Sequence, residues 1–273
     1  MGKTIAVTNQ KGGVGKTTTS INLAASLAYH GKKVLLIDMD PQGNATMGCG
    51  VDKQLLAATL NDVLLGEATV EAILQTTKAN MDLLPSNGDL TVAEVKLLSM
   101  TARETRLKQA LASIKPQYDY LIIDCPPALN ALTLNALVAS DSVLIPMQCE
   151  YFALEGLTAL LSTIEQLNAT INPSLHLEGI LRTMFDPRNK LTQDISLQLF
   201  THFKDQVYHT VIPRNVRLAE APSHGLPILL YDNKAPGSTA YVMLAAELIQ
   251  RQTQRDQAEA RVFTSETTHE SVA

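Results

Sequence analysis

The chain has 273 residues, 45% of them hydrophobic, which is enough to bury a substantial core in one α/β domain, expected to span residues 1–251. Its 27 acidic residues outweigh 22 basic ones, giving a formal net charge of −5, which excludes a protein that coats nucleic acid by bulk charge and leaves room only for a local basic patch. Cys49, Cys125 and Cys149 fall in no metal-binding spacing, and neither a secretion signal nor an 18-residue apolar run is present, so a reducing, cytoplasmic setting is expected.

In chain order, a β-branched run at residues 4–9 (TIAVTN) leads into a helix-period stretch from Thr17 to His30. Gly31 stops that helix, and a second apolar run follows at 33–40 (KVLLIDMD). This is a βαβ opening. Leu55 to Leu65 and Thr69 to Thr76 carry apolar residues at three-to-four spacing and are expected as short helices. Residues 81–86 (MDLLPS) read as a strand, and Thr101 with Glu104 as a capping box for a helix running toward Ile114. Further buried strands are expected at 118–127, 141–148, 177–185 and 207–213, most of them separated by segments long enough to return as helices. The resulting fold class is α/β: a mostly parallel twisted sheet flanked by helices on both faces. From residue 252 the composition turns polar and a disordered C-terminal tail, 252–273, is expected.

The chemistry is concentrated at the end of the first strand. In the run from Asn9 to Ser20, Gly12, Gly13, Val14 and Gly15 lie between two lysines, after a strand and before a helix. Small residues there let backbone N–H groups converge on phosphate oxygens, and the helix N-terminus adds its positive dipole end. Lys16 is placed to reach the β- and γ-phosphates, Thr17 to supply a hydroxyl to Mg²⁺, and Thr18 to meet the α-phosphate of a nucleotide. Asp38 and Asp40, two apart at the end of the second strand, share one side of an extended chain at the sheet edge where ligands collect. Asp38 is expected to support Mg²⁺. The run YLIID ends at Asp124, the expected Walker B carboxylate, followed by Pro126 and Pro127.

With Lys11 ahead of the glycines, the loop resembles that of the deviant P-loop ATPases, whose signature is K-G-G-x-G-K-T and which include partition ATPases, MinD and the nitrogenase iron protein. The resemblance implies that Lys11 reaches the nucleotide of a partner subunit in a sandwich dimer, and that Asp40 orients the attacking water. Four further segments (DMDPQGNATMG, DYLIIDCPPALNALTLNAL, PMQCEYFALEGL and VIPRNVRLAEAPSHGLPILLYD) are similar to the chromosome-partitioning ATPases of the ParA/Soj type, so the likeness covers residues 1 to about 251. It implies a weak ATPase using ATP and Mg²⁺ that dimerises with ATP and binds double-stranded DNA without sequence preference. It further implies stimulation by a ParB-type centromere-binding partner and residence in the cytoplasm on the nucleoid. It also implies DNA contacts at Arg188 and Arg217. Arg214 lies beside them in the same basic cluster, which dimerisation would double. The resemblance further implies that Pro213 and Asn215 lie beside the adenine, and Glu150 near the ribose or the partner chain. Where relatives usually carry a lysine this chain has Leu226, and the segment NKAPGS keeps only Lys234, so DNA contacts are expected to be weaker or differently arranged.

Two other readings share the loop. A MinD-like membrane-associated ATPase needs a C-terminal amphipathic helix with a basic polar face, and the polar tail does not supply that pattern. An iron–sulfur reductase needs cysteines at the dimer face, and Cys125 and Cys149 do not fall at the ligand segments of that group.

Overall fold

The computed structural model describes the backbone of residues 2–270 and the side chains through residue 258. The first strand, β1 (Lys3–Val7), feeds α1 (Lys16–Tyr29), which ends before Gly31 at φ 77°, a left-handed conformation that glycine adopts without steric cost. Next come β2 (Val34–Asp38), α2 (Asn44–Gly48), α3 (Leu60–Leu65), α4 (Val70–Ile73), β3 (Gln75–Thr76), β4 (Asp82–Leu84), α5 (Leu90–Leu97) and α6 (Arg106–Leu111). The second half contains β5 (Tyr120–Asp124), α7 (Ala131–Ala139), β6 (Ser142–Gln148), α8 (Ala153–Thr170), β7 (His176–Thr183) and α9 (Lys190–Phe203). The chain closes with α10 (Val216–Glu220), α11 (Ile228–Tyr231) and α12 (Pro236–Glu270).

The strands form one sheet in the order β3-β4-β2-β5-β1-β6-β7, parallel throughout except for the β3–β4 edge pair. Strands β2, β5 and β6 are mostly apolar because both faces of the sheet are covered. On one face Leu35, Ile37, Leu121 and Ile123 join a core with α3, α5, α6, α7, α8 and α9. On the other, Ile5, Val7, Leu36 and Ile122 pack with α1 and α12. The chain runs from β1 first toward β2 and later returns to β6 on the opposite side. That reversal opens a crevice at the carboxyl end of β1, the usual ligand position in open α/β sheets.

Several expectations are corrected. Only Leu60–Leu65 of the stretch from Leu55 is helical, and its N-terminus is closed by a capping box between Thr59 and Asp62. Thr101 and Glu104 form no such box: Ala102 is left-handed at φ 52°, Arg103 binds Glu104, and the helix begins at Arg106. Residues 75–76 are an antiparallel edge strand rather than the end of a helix. Residues 207–213 form isolated bridges to β7 and to Phe185 rather than a strand. The boundary at 251 falls inside α12, which continues through most of the stretch expected to be disordered; residues 271–273 lie outside the described residues. The physical reason for the longer docking is Glu178, wholly buried on β7, which needs cationic partners. Lys3 lies 2.7 Å from it and Arg255 of α12 lies 3.0 Å from it, while Ser142 donates a hydrogen bond at 2.8 Å.

Candidate nucleotide site

The glycine loop leaves β1 and turns into α1 at Gly15, the N-cap residue, with φ 86° and ψ 30°. Gly13 is also left-handed, at φ 74°, and a Cβ added there would meet no atom within 4 Å. The loop backbone at Gly13 thus borders open space just ahead of a helix N-terminus, a position that suits phosphate. Two struts fix the loop from below: Asn9 Nδ2 donates to the Pro146 carbonyl at 2.8 Å, and Asn9 Oδ1 accepts from Lys11 N at 2.9 Å.

The two lysines are placed in opposite environments. Lys16 is 7% exposed, and its ammonium donates to the Lys11 carbonyl at 3.2 Å across the loop. Burial pulls its pKa down, while the nearby charges of Asp124 and Asp40 push it back up. Lys11 stands at the mouth, 44% exposed, ion-paired with Glu150 of the segment after β6. No local pattern points to this pair, whose members are 139 residues apart.

Beneath Lys16 lie two carboxylates on adjacent strands, Asp38 of β2 in register with Asp124 of β5, both fully buried. Burial raises Asp124 to about 8, with the charge of Asp38 adding to the rise, and bonds from the Thr17 and Ser20 hydroxyls offset it only in part. Asp38 rises to about 6, again chiefly through burial. Their occupancy differs. Asp38 accepts from Thr46 N at 2.8 Å, Thr46 Oγ1 at 2.7 Å and Asp40 N at 3.2 Å. Asp124 Oδ1 accepts from Ser20 at 2.8 Å, whereas its Oδ2 has no hydrogen-bond partner. A buried, unsatisfied carboxylate oxygen beside a threonine hydroxyl and a lysine fits a magnesium–phosphate complex. Among the described residues no cluster of three or more His, Cys, Asp or Glu side chains is found. Asp40, 9% exposed, holds the next turn by accepting from Gln42 N at 2.9 Å, and its carbonyl accepts from Ser86 at 2.7 Å.

A cavity of about 340 Å³ adjoins the loop, lined by Gly15, Thr18, Thr183, Met184, Pro213 and Asn215 among others. Asn215, whose buried Oδ1 has no hydrogen-bond partner, lines this largely apolar cavity, and such a lining suits a base. Pro213, Asn215 and Thr18 are thus brought together from distant parts of the chain. Glu150 is not among the residues lining this cavity and pairs instead with Lys11. Thr183, Met184, Ser20 and Thr46 were missed by the sequence reading. Ser20, one helical turn after Lys16, carried a spacing signal; the other three carried none.

The three arginines do not form one free basic patch. Arg188, 88% exposed, grips Asp186 with two hydrogen bonds at 2.9 and 2.8 Å. Arg217 binds Glu220 at 2.8 Å and lies 3.5 Å from Asp232. Arg214 makes no ion pair among the described residues, and it borders the base cavity. Leu226 lines a second cavity beside α1, α2 and Pro222.

Parallel-sheet topology, the glycine loop and the paired acids define a P-loop nucleoside triphosphatase. A family model described as an AAA domain matches residues 2–177. The chain is 54% identical to the sporulation initiation inhibitor protein Soj of Bacillus subtilis, over 91% of this chain and 98% of that protein. It is 50% identical to the chromosome partitioning protein ParA of Caulobacter vibrioides, over 93% and 96%. Among solved structures it is similar to a protein described as cobyrinic acid a,c-diamide synthase from Mycobacterium smegmatis, with bound ADP and magnesium (TM-score 0.82, 39% identity, 93% and 96% coverage). It is also similar to the cell division ATPase MinD of Pyrococcus furiosus (TM-score 0.75, 27% identity, 92% and 99% coverage). The chain belongs to the ParA/Soj family of partitioning ATPases.

Proposed function

We propose that this chain is a DNA-partitioning ATPase that uses ATP and Mg²⁺, pairs as a nucleotide sandwich dimer when ATP is bound, and holds double-stranded DNA nonspecifically in that state. Hydrolysis, stimulated by a ParB-type partner, returns it to a DNA-released monomer. The observation that carries this reading is one loop with two lysines in contrasting settings, Lys16 buried against Asp124 and Lys11 exposed at the mouth. Lys16 and the loop amides hold the phosphates, and Thr17 with Asp124, supported by Asp38, holds the metal. The metal ion, when bound, neutralises charge developing on the β- and γ-phosphates. Asp40 orients the attacking water. Lys11 leaves Glu150 and contributes its ammonium to the partner's nucleotide, a charge delivered in trans like an arginine finger.

Arg188, Arg214 and Arg217 are the DNA contacts in this reading. Arg188 and Arg217 must exchange their carboxylate partners for phosphates, which makes the interaction salt-sensitive and dependent on doubling the patch by dimerisation. The test is a DNA-binding assay with ATP, ADP and no nucleotide, with mass measurement on the same samples. The expected result is a dimer on DNA only with ATP. DNA binding by a monomer, or equal binding in all three states, would overturn the cycle. Liposome sedimentation with ATP addresses the MinD-like alternative, and lipid is expected to be ignored. Among the described residues no helix is long and apolar enough to cross a membrane.

A further inference from the structure

β7 ends at Thr183, which is 3% exposed and paired in register with Gln148 of β6. Its hydroxyl donates to the carbonyl of Val14 at 2.8 Å, across 169 residues of sequence. Val14 is 1% exposed, so this carbonyl lies away from water, and Thr183 meets its need for a donor. The peptide unit that carries the Val14 carbonyl also carries the Gly15 N–H, and in a trans peptide plane the two point in opposite directions. A hydroxyl that draws the carbonyl toward β7 therefore holds the Gly15 N–H toward the cradle. The restraint matters because one side of the plane is permissive. Gly15 sits at φ 86°, and glycine gives little steric resistance to rotation of the plane about that bond. Thr183 is itself held firmly. Phe185, two residues on, donates its N–H to the Ile212 carbonyl at 2.9 Å and bridges to Pro213, while Met184 between them takes a left-handed φ of 48°.

We propose that Thr183 is a positioning residue for the phosphate cradle, setting the direction of the Gly15 amide through the Val14 carbonyl. This rests on the nucleotide reading above and adds to it a contribution from β7, outside the glycine loop. The test uses Thr183→Val, which keeps the shape and removes the donor, and Thr183→Ser, which keeps the donor. Affinities for Mg–ATP, Mg–ADP and AMP are measured by calorimetry or a competed fluorescent nucleotide, with thermal melting of the nucleotide-free proteins alongside. Thr183→Val is expected to bind ATP and ADP about tenfold more weakly, the usual scale for one buried hydrogen bond whose acceptor is left unpaired. AMP, which places no β-phosphate in the cradle, is expected to bind unchanged, and Thr183→Ser to stay within about twofold of the parent. Should the valine variant not fold, Thr183→Cys, a weak donor of similar size, is expected to show an intermediate loss for ATP and ADP. Binding of ATP at the parental affinity by the valine or cysteine variant would overturn the proposal. So would an equal loss for AMP, which would place the effect in the base cavity, or a lowered melting temperature with no change in affinity. A parent protein that binds no nucleotide would overturn the nucleotide reading as well, whereas a normal parent with an unaltered valine variant removes only the role of Thr183.

Discussion

Replacing Asp124 by Asn should make the metal-free protein more stable at alkaline pH while abolishing its response to magnesium nucleotide. In the fold, burial and the neighbouring Asp38 raise Asp124 from 3.8 to about 8. Between those values the unfolded chain has lost this proton and the folded chain keeps it, so the unfolded state binds fewer protons and stability falls as pH rises from about 4 to about 8. At about 1.4 kcal/mol per unit, a rise of roughly four units corresponds to roughly 5 kcal/mol at pH 8. Asn escapes that penalty but weakens the bond from Ser20, which, to a carboxyl held neutral below about pH 8, subtracts about 0.5–1.5 kcal/mol. The remainder, about 3.5–4.5 kcal/mol, converts to a melting temperature higher by roughly 10–15 °C in a domain of this size. The assay is thermal melting of parent and variant from pH 5 to pH 8.5, without metal and then with Mg–ATP. The variant's advantage should grow with pH, and only the parent should gain stability from Mg–ATP. A variant that melts lower than the parent at pH 8, or an advantage independent of pH, would refute the argument that this carboxylate is held against its charge.

Asp40→Ala should bind ATP and accumulate as dimer while hydrolysing poorly, measured by phosphate release and column mass; a monomeric, fully active variant would remove Asp40 from water orientation. Lys11→Ala should abolish ATP-dependent pairing in a light-scattering titration, because the partner's phosphates lose their cation in trans. Glu150→Gln, which frees Lys11 from a half-exposed ion pair worth little in water, should change the pairing constant by about two- to fivefold, less at high salt. Arg217→Glu should pair normally but release DNA at moderate ionic strength, and its retention would show that the basic patch lies elsewhere.

Local pattern was enough for the features that repeat within a few residues. The alternation of apolar runs with helix-period stretches marked β1, β2, β4, β5, β6 and β7, and the spacing of glycines, lysines and threonine after a strand marked the loop, because a cradle for phosphate is built from consecutive backbone groups. Asp38, Asp40 and Asp124 were legible for the same reason, each ending or just following a strand whose burial the sequence already showed. Signals that depend on competition between neighbours failed. Thr101 and Glu104 have the spacing of a capping box, yet Ala102 turns left-handed and Arg103 takes Glu104; β3 is two residues long and exists only through its pairing with β4. Residues 207–213 have strand composition but find no continuous ladder: Val207 bridges β7 at Ile180, and Pro213 bridges Phe185 just beyond it.

The sequence by itself thus determined the class of fold, the phosphate loop and the acids at the sheet edge. Tertiary structure alone decided that Lys11 rests on Glu150, that Thr183 supports Val14, and that α12 is anchored past residue 251 by Glu178. The reason is range: a hydrogen bond or ion pair acts across a few ångströms, and which groups come that close after 77 to 169 residues of intervening chain is fixed only when the sheet order is fixed.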